Sequence, residues 1–203
     1  GEMDMTDKNV SIMNIGSMGY LPQVFKKIEN EKKLNIVYLG GSITMGCNAT
    51  KTELRYVDRS AKWWQTNFPD AEISYFNAGI GATTSQFGVA RVQEHVLDKQ
   101  PDLVFVEFSV NDSSSPLFME TYESLVRRLL KAESVKAVVL INNLFYDTGT
   151  NAQGIHNAIG LHYDLPIVSV RNYIFPEIQL GNVCLADYTA DMLHPTDLGH
   201  KMI

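Results

Sequence analysis

The stretch LNIVYLGGSITMG, residues 34–46, begins as an apolar, β-branched run and ends in two glycines, a serine and a threonine. A nearly continuous apolar run reads as a strand buried on both faces, because a strand with one wet face would alternate. A glycine pair directly after a strand marks a tight turn, often where backbone meets a ligand. Four more runs share this character: EISYFNAG (72–79), DLVFVEFSV (102–110), KAVVLINNL (136–144) and PIVSVRNY (166–173). Helical patterns lie between them. Ala61, Trp64 and Phe68 share one face, as do Val89, Val92 and Val96. The clearest helix spans 116–131, with Ser115 to cap it, Pro116 in its first turn, and a stripe of Phe118, Tyr122, Leu125, Leu129 and Leu130. A weaker helix spans 151–162, and a last one starts at Thr196.

Strand and helix alternate five times. That predicts an α/β fold with a five-stranded parallel sheet and helices on both faces. It also predicts one domain over residues 1–203, with 1–33 as a lead-in and the last helix cut short at Ile203. The composition agrees with a globular chain: 203 residues, 45% hydrophobic, 20% charged. The net charge of −6, without a basic tract, argues against nucleic acid or an anionic membrane as partner. No apolar run approaches the roughly 18 residues of a membrane span. The opening GEMDM has no signal-peptide pattern and is compatible with a leader already removed. Cys47 and Cys184 are too few for a disulfide scaffold and form no CxxC pair.

In open parallel sheets, ligands bind at the carboxyl ends of the strands. Those ends carry Gly-Gly-Ser42, Asn77-Ala-Gly-Ile-Gly81, Ser109-Val-Asn111-Asp112 and, beyond the fifth strand, Asp191-Met-Leu-His194. The set fits acyl transfer. A serine hydroxyl needs a neighbouring base, a histidine can take its proton and return it to the leaving alcohol, and a carboxylate fixes the imidazole tautomer. Asp191 and His194 are three apart, close enough to meet within one turn. The N–H groups of Ser42 and Gly81 and the amide of Asn111 are candidate oxyanion donors. Activity should rise with pH as the histidine loses its proton.

GGSIT, the Asn77-x-x-x-Gly81 turn with Thr83 two later, Val-Asn111-Asp112 and Asp191-x-x-His194 resemble, in order and spacing, the four blocks of the SGNH (GDSL-like) hydrolases. The resemblance covers essentially residues 34–200. It implies a flavodoxin-like three-layer α/β/α sandwich, a catalytic Ser42-His194-Asp191, an oxyanion hole from Ser42, Gly81 and Asn111, and no metal or organic cofactor. Two positions depart from the family pattern. The first block has Gly41 where the family name has aspartate, as in many sugar-deacetylating relatives. The third block has Ser109 in place of glycine, which could narrow the floor of the site. Gly79 rivals Gly81, and the spacing to Thr83 favours Gly81.

The resulting expectation is a serine esterase acting on short acyl, chiefly acetyl, esters of carbohydrate. The alternatives are an acyltransferase on the same scaffold and a non-catalytic carbohydrate-binding module. A nucleotide is disfavoured: GGSITMG lacks the Gly-Lys-Ser/Thr end of a P-loop, and Thr84 stands at the third glycine of a dinucleotide fingerprint. Asp112 reads as a local turn-former. His95, His156, His162 and His200 read as packing or surface histidines, and Trp64 as core. Glu107, inside an apolar strand, needs a hydrogen-bond partner. The loops 113–117 and 146–151 leave the active edge and are the expected selectivity loops.

Overall fold

The structure, a computed structural model, describes residues 7–203, so the opening GEMDM lies outside it. Its elements follow in the order β1 (Ile12–Asn14), α1 (Leu21–Glu31), β2 (Lys33–Gly40), α2 (Ser42–Met45), α3 (Tyr56–Asn67), β3 (Glu72–Gly79), α4 (Ser85–His95) and β4 (Leu103–Glu107). Then come α5 (Pro116–Leu130), β5 (Ala137–Asn142), α6 (Gln153–His162), β6 (Ile167–Ser169), α7 (Val170–Gln179), α8 (Leu185–Tyr188) and α9 (Asp197–Met202).

The five strands read from the sequence are present and mutually parallel, but the sheet has six, in the order β1-β6-β5-β4-β2-β3. The sixth, β1, pairs antiparallel with β6 and covers that edge. It is three residues long, with two exposed apolar side chains, and so carries no periodic signal. The lead-in therefore contributes a strand and a helix. The last parallel strand is shorter than its apolar run. Ser169 accepts a hydrogen bond from Asn172 N–H at 3.1 Å and so caps α7, which takes over the rest of PIVSVRNY. β4 and β5 also stop short of their runs, at Glu107 rather than 110 and at Asn142 rather than 144, while the helix caps agree. Ser115 caps α5 through Phe118 N–H, and Thr196 caps α9 through Gly199 N–H.

Side chains of the central strands alternate between two cores, the period expected of strands buried on both sides. Leu34, Ile36 and Tyr38 of β2 join Leu103, Val139 and Ile141 in a core covered by α1, α3, α7 and α9. Val37 and Leu39 join Val104, Val106, Val138 and Leu140 under α4, α5 and α6. The result is a three-layer α/β/α sandwich. Chain order reverses between β2 and β4, which are hydrogen-bonded neighbours although β3 lies between them in sequence. A crevice opens at the carboxyl ends of strands at such a reversal. Ser42 follows β2 and Asn111 follows β4, so both stand at its mouth.

Candidate active site

Ser42 is the first residue of α2, directly after the Gly40-Gly41 turn. The turn is glycine because of space rather than handedness. Gly41 has φ −92°, and a Cβ on it would stand 2.5 Å from Asn111 Oδ1. A Cβ on Gly40 would collide with Thr44 Oγ1 and lie 2.7 Å from the Glu107 carbonyl. Backbone from β2 is thus pressed against β4 and α2, and the hydroxyl emerges at the sheet edge.

Ser42 Oγ lies 2.9 Å from His194 Nε2, and His194 Nδ1 lies 2.6 Å from Asp191 Oδ2. The other Asp191 oxygen accepts from the N–H groups of His194 at 2.7 Å and Leu193 at 3.0 Å. Burial opposes the charged form of this carboxyl, but the bonds from the His194 ring and from these N–H groups outweigh it and hold the group down at about 2. An ionised carboxylate only accepts, so Nδ1 of the neutral imidazole carries the proton and Nε2 is left to accept from the Ser42 hydroxyl. That is the tautomer a general base requires.

The Asp191–His194 loop is held from several sides. Thr189 Oγ1 donates to the His194 carbonyl at 2.8 Å, and Tyr146 N–H donates to the Met192 carbonyl at 2.8 Å. His200, on α9, is buried: Tyr56 N–H donates to its Nδ1, and its Nε2–H then donates to the Cys47 carbonyl at 2.9 Å. Burial lowers the pKa of His200, in keeping with this neutral pattern. His200 therefore joins the segment bearing His194 to the segment bearing Ser42. The loop 146–151 is also pinned rather than free, with Tyr146 buried and Arg171 Nε donating to the Gly149 carbonyl.

Gly79 and Gly81 separate clearly. Gly79 N–H donates to Asn77 Oδ1 at 2.9 Å, and a Cβ on Gly79 would run into the backbone of Met45. Asn77 Nδ2 in turn donates to the Thr44 carbonyl at 2.8 Å, so this asparagine fastens the end of β3 to α2. Gly81 stands beside the serine: a Cβ on it would be 3.9 Å from Ser42 Cβ and 3.5 Å from Met45 Cε. Ser42, Gly81, Asn111, Asp191 and His194 are thus brought to one edge of the sheet. As the first residue of a helix, Ser42 also has an N–H without an intrahelical acceptor.

Three readings from sequence change. Ser109 does not floor the site. It is fully buried, its hydroxyl donates to Glu107 Oε1 at 2.7 Å, and it accepts from Asn143 N–H at 2.7 Å. Asp112 is not a local turn-former: its oxygens accept from Ser85 N–H and from His156, both distant in sequence. His156 is neither a surface group nor simple packing but the buried partner of that carboxylate. Both cysteines are free. Among the described residues, no helix is long and apolar enough to cross a membrane.

A family profile described as GDSL-like Lipase/Acylhydrolase matches residues 38–202. The chain belongs to that family. The family's class, ester-cleaving acylhydrolases, is the one expected from the four sequence blocks. An acetylxylan esterase of Geobacillus stearothermophilus is 24% identical over 206 residues, covering 87% of this chain and 92% of that protein. Among solved structures, a two-domain esterase (CEX) active on acetylated mannans is 46% identical, with a TM-score of 0.93 over 96% of this chain. The same esterase co-crystallised with mannopentaose gives an equal TM-score. The chain covers 52% of the length of that two-domain esterase, about half. In this GDSL-like chain the matched span includes both the β2–α2 turn and the loop before α9.

Proposed function

We propose that the protein is a serine esterase that removes acetyl groups from a polysaccharide, of the acetylated mannan kind in the first instance. The observation that carries the reading is the line from Ser42 Oγ through His194 to Asp191, at 2.9 and 2.6 Å, on the edge that also holds Asn111 and Gly81. The 46% identity to an esterase active on acetylated mannans supports the choice of substrate.

In this reading Ser42 Oγ attacks the acetyl carbonyl carbon while His194 Nε2 takes the hydroxyl proton. The carbonyl oxygen becomes an oxyanion held by the N–H groups of Ser42 and Gly81 and the amide of Asn111. As the intermediate collapses, His194 returns its proton to the sugar oxygen and the alcohol leaves. Water then attacks the acetyl-serine with His194 again as base, and acetate departs with Ser42 restored. Asp191 stabilises the imidazolium that forms in each half and stays ionised throughout, since its carboxyl titrates at about 2.

Acetate release from acetylated mannan, acetylated xylan and glucose acetates tests this directly. The wild type should release acetate, fastest from the mannan, and Ser42→Ala should lower the rate by about 10⁴-fold or more. Equal rates for Ser42→Ala and wild type would overturn the mechanism. Faster release from acetylated xylan or from the glucose acetates than from the mannan would overturn the substrate.

A further inference from the structure

The three candidate oxyanion donors come from three separate segments, and the Asn77 bond to the Thr44 carbonyl ties only those of Gly81 and Ser42. Asp112 supplies a link between two of them. One carboxylate oxygen accepts from Ser85 N–H at 2.9 Å, at the first position of α4, the helix entered from the Gly81 turn. The backbone of Asp112 continues directly from Asn111. The second oxygen is 2.9 Å from His156 Nε2, both side chains being fully out of solvent. His156 in turn stacks face to face on Tyr122 of α5, with ring centroids 3.6 Å apart at 6°. A carboxylate with its two oxygens spent on two different elements cannot rotate, so the turn bearing Asn111 and the start of α4 are set against each other.

Building on the esterase reading, we propose that His156 and Asp112 are positioning residues for the oxyanion hole. His156 holds Asp112, and Asp112 fixes the distance between the Asn111 turn and the Gly81 segment. A donor displaced by a fraction of an ångström loses its worth in the transition state, where the oxyanion forms, more than in the ground-state complex. The signature of this role is therefore a fall in kcat with KM nearly unchanged.

The experiment compares His156→Leu, which removes the donor at similar volume, with His156→Gln, which keeps a donor. Both are assayed with p-nitrophenyl acetate beside wild type and Ser42→Ala. His156→Leu should lower kcat by about tenfold or more with KM within about twofold, and His156→Gln should recover most of the loss. Ser85→Pro is the second probe, for use if His156→Leu does not fold. It deletes the backbone N–H that Asp112 accepts, together with the Ser85 hydroxyl bonded to Thr121, at a first helical position where proline fits, and should show the same split between kcat and KM. Wild-type kcat in folded His156→Leu, or in Ser85→Pro should the former not fold, overturns the positioning role and leaves the esterase reading standing. A loss in His156→Leu that His156→Gln does not recover also overturns it. A wild type without Ser42-dependent turnover overturns both.

Discussion

Gly41 shows how one residue can matter through what it lacks. It makes no use of glycine's left-handed freedom, yet a methyl group there would stand 2.5 Å from Asn111 Oδ1. Gly41→Ala should therefore push the amide off the oxyanion position and lower kcat by roughly 10²-fold, with KM little changed. Steady-state kinetics on p-nitrophenyl acetate check this, and an unchanged kcat would count against Asn111 as an oxyanion donor. At this scale the sequence was informative wherever the chemistry needs particular residue types at strand ends. Ser42 and Asn111 were singled out for that reason, and Asp191 and His194 by their spacing of three, and the structure brings Ser42, His194 and Asp191 into one hydrogen-bonded line. His156 and His200 were not singled out, because their partners lie 44 and 144 residues away and a single sequence shows no contact across such distances. The same limit made Asp112 look local.

At the scale of elements, the carboxyl end of β4 is the busiest junction. Glu107 closes the strand, fully buried, and its Oε1 accepts from both the N–H and the hydroxyl of Ser109. Ser109 passes the connection to Asn143, just beyond β5. Burial pushes the Glu107 carboxyl up to about 7, against the lowering effect of the Ser109 bonds. The unfolded chain titrates it near 4.3. The folded state thus binds the proton more tightly, and the stability this contributes is full below about pH 4 and is lost as pH rises towards 7. Glu107→Gln should remove that slope, leaving denaturant stability flatter across pH 4–7. Relative to wild type the variant should gain on the order of 3 kcal/mol between the two ends of that range. Urea titrations at a series of pH values check this, and identical slopes in the two proteins would contradict it. The helices and strands themselves were legible where a period ran long, as in α5 with its cap and stripe. The three-residue β1 was too short to leave a pattern, and β6 was over-read because a serine cap ends it inside an apolar run.

For the whole molecule, the sheet order explains why residues so far apart in sequence meet. The reversal between β2 and β4 opens the crevice, Ser42 and Asn111 stand on its two sides, and the segment after α8 returns Asp191 and His194 over it. The parallel sheet and its two covering layers followed from apolar runs alternating with helical stripes, a pattern that long-range contacts are not needed to see. What the layers cannot announce is chemistry, which rests on the single line through Ser42. The most direct measurement is peptide mass spectrometry after reaction with an alkyl fluorophosphonate, a reagent that phosphonylates an activated serine. The adduct is expected on the peptide containing Ser42, absent in Ser42→Ala and formed far more slowly in His194→Ala. An adduct on another residue, or labelling of His194→Ala at the wild-type rate, would contradict it.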